Sequence, residues 1–206
     1  MKNYNIEELL DGLKKKKSSA TVFNQYGENG SIPLHNLQIY LTIASCFRIG
    51  NLFVDLSPGY KNCAVTGIPI TNEFILFNNQ ISSPLFGVRN GYKENIQNKR
   101  QADLSTALFW TDLNSIDRTP LLWNCYPFHC HLKNDPRSNR QPTEDEIQTG
   151  MVFLLNLLEI FRPRKIFAIG RTVSEILSMR NIRNTHLEHP FILRHLIKTG
   201  RWYSSN

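Results

Sequence analysis

A chain of 206 residues with 41% hydrophobic content is long enough for one domain with a full core and short for two. Its apolar runs are too short to cross a bilayer, so a membrane-spanning protein is not expected. Lys and Arg number 24 against 17 acids, a formal charge of +7, which suits a polyanionic partner without identifying one.

The first residues, MKNYNIEELLDGLKKKK, hold neither an apolar core nor a small-residue cleavage site, so no secretory signal is expected there. Residues Tyr4–Lys17 predict a short amphipathic helix, with Ile6, Leu9, Leu10 and Leu13 on one stripe. The run Lys14–Lys17 places positive charge at its end, favourable against the helix dipole. It reads as a solvated end or as a clamp on DNA. Pro33 leads into a second helix over about Asn36–Phe47, and Gly50 precedes a compact apolar strand, Asn51–Asp55. Leu56–Asn72 is a loop broken by Pro58, Gly59, Gly67 and Pro69, and Asn78–Asn98 reads as irregular.

Ala107–Trp110 and Leu121–Asn124 are the next predicted strands. Thr143 can cap a helix and Glu146, three residues on, completes a capping box; the apolar run carries that helix to about Phe161. Lys165–Ile169 is another buried strand, and Thr172–Met179 a further helix. Apolar strands alternating with helices predict a three-layer α/β/α sandwich around a mostly parallel sheet. One domain over 1–206 is expected, with 1–35 an N-terminal helix and basic segment. Ligands of such sheets bind beyond the carboxyl ends of the strands, where Asp55 and Asn124 fall.

Three segments carry a resemblance: VDLSPGYKNCAVTGIPIT, LLWNCYPFHCHLKNDPRSNR and HLEHP. Together they resemble the uracil-DNA glycosylase superfamily, in particular a bacterial branch with a strand-end Asn, a following Pro-Phe-His, and Ser-Asn-Arg-x-Pro-Thr. The likeness runs from about Leu52 to Pro190. It implies a glycosylase fold, DNA as partner, no cofactor, and a monomer in the cytoplasm, associated with the nucleoid.

The resemblance also assigns roles. Enzymes that act on a base rotate it out of the stack, then read its edge, stack on its face and stabilise charge on the leaving group. Asn124 matches the edge reader, although a strand-capping role is the alternative. His189 matches the donor to the departing base at O2. Asp55, Leu56, Ser57, Gly59 and Tyr60 occupy the first motif, which in the branch reads Gly-Glu-Ala-Pro-Gly-Tyr. Its carboxylate position is Leu56 here, leaving Asp55 as a catalytic acid or as a loop-ordering one. Ile70 stands where the branch stacks a phenylalanine, and Phe74, Phe77 or Phe128 could supply a ring instead. In the uracil-excising branch a tyrosine at the Gly59 position blocks substituents at pyrimidine C5, so Gly59 with Ile70 implies a roomier pocket. The segment after Pro190 lacks the small residues usual in the DNA-inserting loop.

Lys61 and Arg140 are candidate phosphate contacts. For Arg140 the alternative is an ion pair with Asp135 or Glu144 that orders the loop. Cys63 belongs to no pairing pattern with Cys46, Cys125 and Cys130, so reduced thiols are expected. Cys125, His129, Cys130 and His131 match no common zinc spacing, and no metal is expected. The activity expected is hydrolysis of the N-glycosidic bond of a flipped uracil or modified pyrimidine. The alternative is a homologue that binds DNA or protein without excision.

Overall fold

The structure, a computed structural model, describes residues 5–27, 31–77, 83–94, 109–110, 113 and 119–187. Four parallel strands form its sheet: β2 (Asn51–Asp55), β3 (Leu121–Asn124), β5 (Lys165–Ile169) and β6 (Thr185–Leu187), in the order β3-β2-β5-β6. Helices flank it, as the alternation of apolar strands and helices predicts. A second, two-stranded antiparallel sheet joins β1 (Val22–Phe23) to β4 (His129–Cys130).

Side-chain caps set the start of two helices. In α1 (Ile6–Lys15) the Asn5 side chain accepts the Glu8 N–H at 2.8 Å, and Leu9, Leu10 and Leu13 are buried. Helix α2 (Ser31–Ser45) begins five residues before the predicted Asn36, because Pro33 sits in the first turn, where its missing N–H removes no bond. Short helices α3 (Cys63–Thr66) and α4 (Glu73–Phe77) interrupt the loop after β2. Helix α5 (Glu144–Phe161) starts with the capping box of Thr143 and Glu146, and α6 (Arg171–Met179) packs on β5.

Two glycines set how closely these parts approach. A Cβ on Gly150 of α5 would lie 2.2 Å from the Cys125 carbonyl oxygen, so only glycine lets the helix cross the backbone just after Asn124. Gly67 has φ +82° and a Cβ there would lie 2.0 Å from the Pro33 carbonyl oxygen. Buried Tyr40 on α2 accepts the Leu122 N–H at 2.9 Å, tying that helix to β3.

The strand expected over Ala107–Trp110 is not formed where it can be seen. Phe109 and Trp110 are helical and buried, and residues 107–108 lie outside the described set. Trp110 Nε1 donates to the Ile70 carbonyl at 2.9 Å, so its aromatic bulk serves packing rather than a sheet. Strand β6 has no counterpart in the sequence reading: only Leu187 of its three residues is buried, too little to leave an alternating pattern.

Candidate active site

Because all four strands run the same way, their carboxyl ends share one edge. Asp55 and Asn124 are register partners on adjacent strands at that edge, so their Cα atoms are separated by about 5 Å. The loops that follow stay stitched together. The Cys125 N–H donates to the Asp55 carbonyl at 2.8 Å, and the Tyr126 N–H to the Leu56 carbonyl at 3.0 Å. One carboxylate oxygen of half-buried Asp55 accepts the Leu56 N–H at 2.8 Å, which turns the chain immediately after the strand. Leu56 itself packs against the core.

Asn124 is 2% exposed, and its side chain is held by an unexpected partner: Nδ2 donates to Cys63 Sγ at 3.6 Å. The direction of that bond is set two residues away. Buried Tyr26 donates its hydroxyl hydrogen to the Gly67 carbonyl at 2.9 Å. In the Tyr26–Cys63 contact at 4.0 Å the thiol is therefore the donor, which leaves Cys63 Sγ as an acceptor for Asn124. Burial pushes the Cys63 thiol up to about 12, with the Asp55 carboxylate adding to the push, so it keeps the proton this relay needs. The amide of Asn124 is thereby oriented: Oδ1 accepts no hydrogen bond from any described residue, and the second Nδ2 hydrogen is also uncommitted.

The loop after Asp55 is braced from the opposite side. Asn139 Oδ1 accepts the Tyr60 N–H at 3.2 Å. His129 is buried with one ring nitrogen 3.0 Å from the Pro58 carbonyl and the other 3.1 Å from that of Pro136. Ser57, Gly59 and Tyr60 are half-buried, and an added Cβ on Gly59 would meet nothing within 4 Å. Exposed Lys61 extends its ammonium over the Tyr60 ring, 5.5 Å from the centroid.

Ile70 has φ +49°, a left-handed conformation that a β-branched residue adopts at a cost of about 1–2 kcal/mol. It is half-buried and packs against the core. Phe128 is fully buried, edge-on to Tyr126 at 5.3 Å and to Phe153 at 5.7 Å, so its ring is locked in the core and has no free face for a base. Of the alternatives, Phe77 packs on the core and Phe74 is 36% exposed.

Arg140 is built into the fold. Its guanidinium forks onto Glu146 at 2.7 and 2.6 Å, and the remaining N–H groups reach the carbonyls of His131, Gln141 and Thr21. The loop-ordering alternative thus describes it, with Glu146 as the partner in place of Asp135 or Glu144. All five donors are engaged, which leaves none to meet a phosphate. The ion pair has a pH consequence. The Arg140 hydrogen bonds hold the Glu146 carboxyl below the usual carboxylate range. A depressed folded value means the stabilisation is complete above about pH 4.3 and is lost as pH falls through the folded value. Melting curves should show Glu146→Gln destabilised at pH 7, with the gap to the parent closing as pH falls through the folded value.

His189 lies outside the described residues; β6, which precedes it, ends at Leu187 on the edge shared by Asp55 and Asn124. Among the described residues no group of three His, Cys, Asp or Glu side chains could hold a metal ion, and no helix is long and apolar enough to cross a membrane. The sequence reading missed Tyr26, Cys63, His129 and Asn139 as parts of the site. His129 and Asn139 carried a signal, as members of the Pro-Phe-His and Ser-Asn-Arg strings; Tyr26 and Cys63 carried none.

No protein-family model matches the sequence, and a search of curated proteins finds no match either. Among solved structures, the crystal structure of wild-type Pedobacter heparinus SMUG2 aligns with a TM-score of 0.62 at 13% identity, covering 96% of this chain and 92% of that one. At that identity the likeness is one of fold. The chain has a uracil-DNA glycosylase-like fold, with Asp55 and Asn124 side by side at the carboxyl edge of its parallel sheet.

Proposed function

We propose that this protein is a monofunctional DNA glycosylase that hydrolyses the N-glycosidic bond of a flipped uracil or C5-substituted uracil. The observation that carries the reading is the oriented amide of Asn124. With Nδ2 turned towards Cys63, Oδ1 is an acceptor for a base N3–H, and the second Nδ2 hydrogen is a donor for O4. Uracil and its C5 derivatives present that pair. Cytosine presents the reverse, an acceptor at N3 and a donor at N4, so the same geometry rejects it.

In the proposed reaction the bond between the sugar C1′ and base N1 breaks, and its electron pair leaves with the base as negative charge delocalised onto O2. His189 donates a hydrogen bond to that oxygen. Water adds to C1′, and Asp55 takes its proton. An abasic site and a free base result, with both DNA strands intact and no cofactor consumed. The backbone amides of Leu56 and Ser57 offer further contacts to the base, and Tyr60 lines the same loop.

Gly59 sets the substrate range. Open space around its Cβ position means that Gly59→Tyr can be accommodated by the fold, and the new ring would fill the room beside pyrimidine C5. The test uses oligonucleotides carrying uracil, cytosine or C5-substituted uracils, followed by alkaline cleavage of abasic sites. The parent should cut C5-substituted uracils at least as well as uracil and leave cytosine untouched. Gly59→Tyr should lose the substituted substrates by about tenfold or more while retaining uracil, the discrimination expected when about 1–3 kcal/mol of steric fit is at stake. One observation favours a second reading, a binding homologue without excision: Leu56, at the branch's carboxylate position, packs into the core. No cleavage of any of these substrates would select it.

A further inference from the structure

Away from this edge, the end of α1 forms a half-open groove of about 520 Å³, lined by Asp11, Lys14, Lys15, Lys16, Lys17 and Phe23, with Ser18, Asn24 and Gly27 completing it. Four of these residues are lysines and one is an acid. A lysine run at a helix end is ordinarily a mobile, solvated tail. This one is fixed. Asn24, 3% exposed, donates from Nδ2 to the carbonyls of Leu13 at 2.8 Å and Lys16 at 2.6 Å, on either side of Lys14 and Lys15. Its own N–H donates to Ser18 Oγ at 3.0 Å, and its Oδ1 accepts the Tyr26 N–H at 2.8 Å. The exposed lysine side chains therefore project from a rigid backbone wall.

Phe23 supplies the other half of the chemistry. It is 39% exposed on β1, an unusual position for a large aromatic ring, and it lines the same groove. Lysines on a fixed backbone beside an accessible ring match what a single strand of nucleic acid requires: charge for the phosphates and a flat face for an unpaired base. A duplex keeps its base faces covered and cannot use the ring. One strand pair links the groove wall to the loop after Asp55. Phe23 is the register partner of His129, and His129 contacts the Pro58 carbonyl next to Gly59.

We propose that this groove binds single-stranded DNA, taking the backbone on Lys14–Lys17 and stacking a base on Phe23, so that the strand flanking the flipped nucleotide is held beside the cleft. DNA as the partner rests on the function proposed above; the readout here is binding, so loss of excision and loss of groove binding are separately visible. The probe is fluorescently labelled oligodeoxycytidylate, whose bases lack the N3–H that Asn124 reads, titrated by anisotropy over a range of salt. Lys15→Gln/Lys16→Gln/Lys17→Gln should reduce the slope of log affinity against log salt by about two, at about 0.7 per phosphate contact on a single strand. Phe23→Ala should leave that slope unchanged and weaken binding by about 5- to 160-fold, the loss of one stacked base. Both positions are exposed, so neither variant threatens folding. An unchanged slope in the lysine variant, or unchanged affinity in Phe23→Ala, would overturn the proposal. So would equal losses on a fully paired duplex, or tighter binding to phosphatidylglycerol vesicles than to the oligonucleotide.

Discussion

Asn124→Ala is expected to abolish excision, by about three orders of magnitude, while leaving the fold nearly untouched. The size follows from losing a preplaced acceptor and a preplaced donor together, each worth up to about 10²–10³ when aimed at the reacting group. The small structural effect follows from what Asn124 does inside the protein. Although 2% exposed, its side chain makes one hydrogen bond to the described residues, to a sulfur, which is a weak acceptor. Truncation should cost about 1 kcal/mol, a shift of a few degrees in melting temperature. Steady-state excision and thermal unfolding of the same preparation separate the possibilities. Loss of folding along with activity would make Asn124 a structural residue. Cys63→Ala probes the orientation more finely: with the relay cut, the amide can turn over, and discrimination against cytosine should relax while uracil activity falls.

His189→Ala should lower the single-turnover rate by about 10²–10³-fold with substrate affinity little changed, because a donor to O2 acts on charge that appears only as the bond breaks. His186, an exposed residue of β6 three positions earlier, serves as the control, and His186→Ala should leave the rate unaltered. A rate loss in His186→Ala and none in His189→Ala would shift the register of the leaving-group donor. An equal fall in affinity and rate would instead describe a residue that holds DNA throughout.

What was legible in the sequence follows a physical boundary. Strands buried on both faces, such as Leu121–Asn124 and Lys165–Ile169, leave continuous apolar runs and were read to the residue. The capping box of Thr143 and Glu146 is a local device with a fixed spacing and was equally clear. That Asp55 and Asn124 both fall at the carboxyl ends of strands followed from a parallel sheet; that they are register partners on adjacent strands is set by the strand order, which the sequence does not show. Contacts that depend on distant segments left no such trace. Cys63 beneath Asn124, Tyr26 beneath Cys63, and His129 against Pro58 are set by tertiary packing across 37 to 71 positions of chain. Arg140 shows the same limit from the other side: its position before a helix suggested a phosphate contact, but a bidentate bond to Glu146 inside that helix engages it. Phe128, a ring next to a strand-end Asn, belongs to the core for the same reason.

Hydrolysis at the Asp55–Asn124 edge, of the glycosidic bond of a base with an N3–H and an O4, leaves a chemically distinct set of products. The most direct measurement is chromatography with mass detection of the bases freed from single-stranded oligonucleotides containing one uracil, one C5-substituted uracil or only normal bases. The expected result is free uracil and free substituted uracil in amounts equal to the abasic sites formed, no free cytosine, intact strands until alkali is added, and no release from Asn124→Ala. Release of cytosine in preference to uracil, strand scission without alkali, or undiminished release from Asn124→Ala would contradict it.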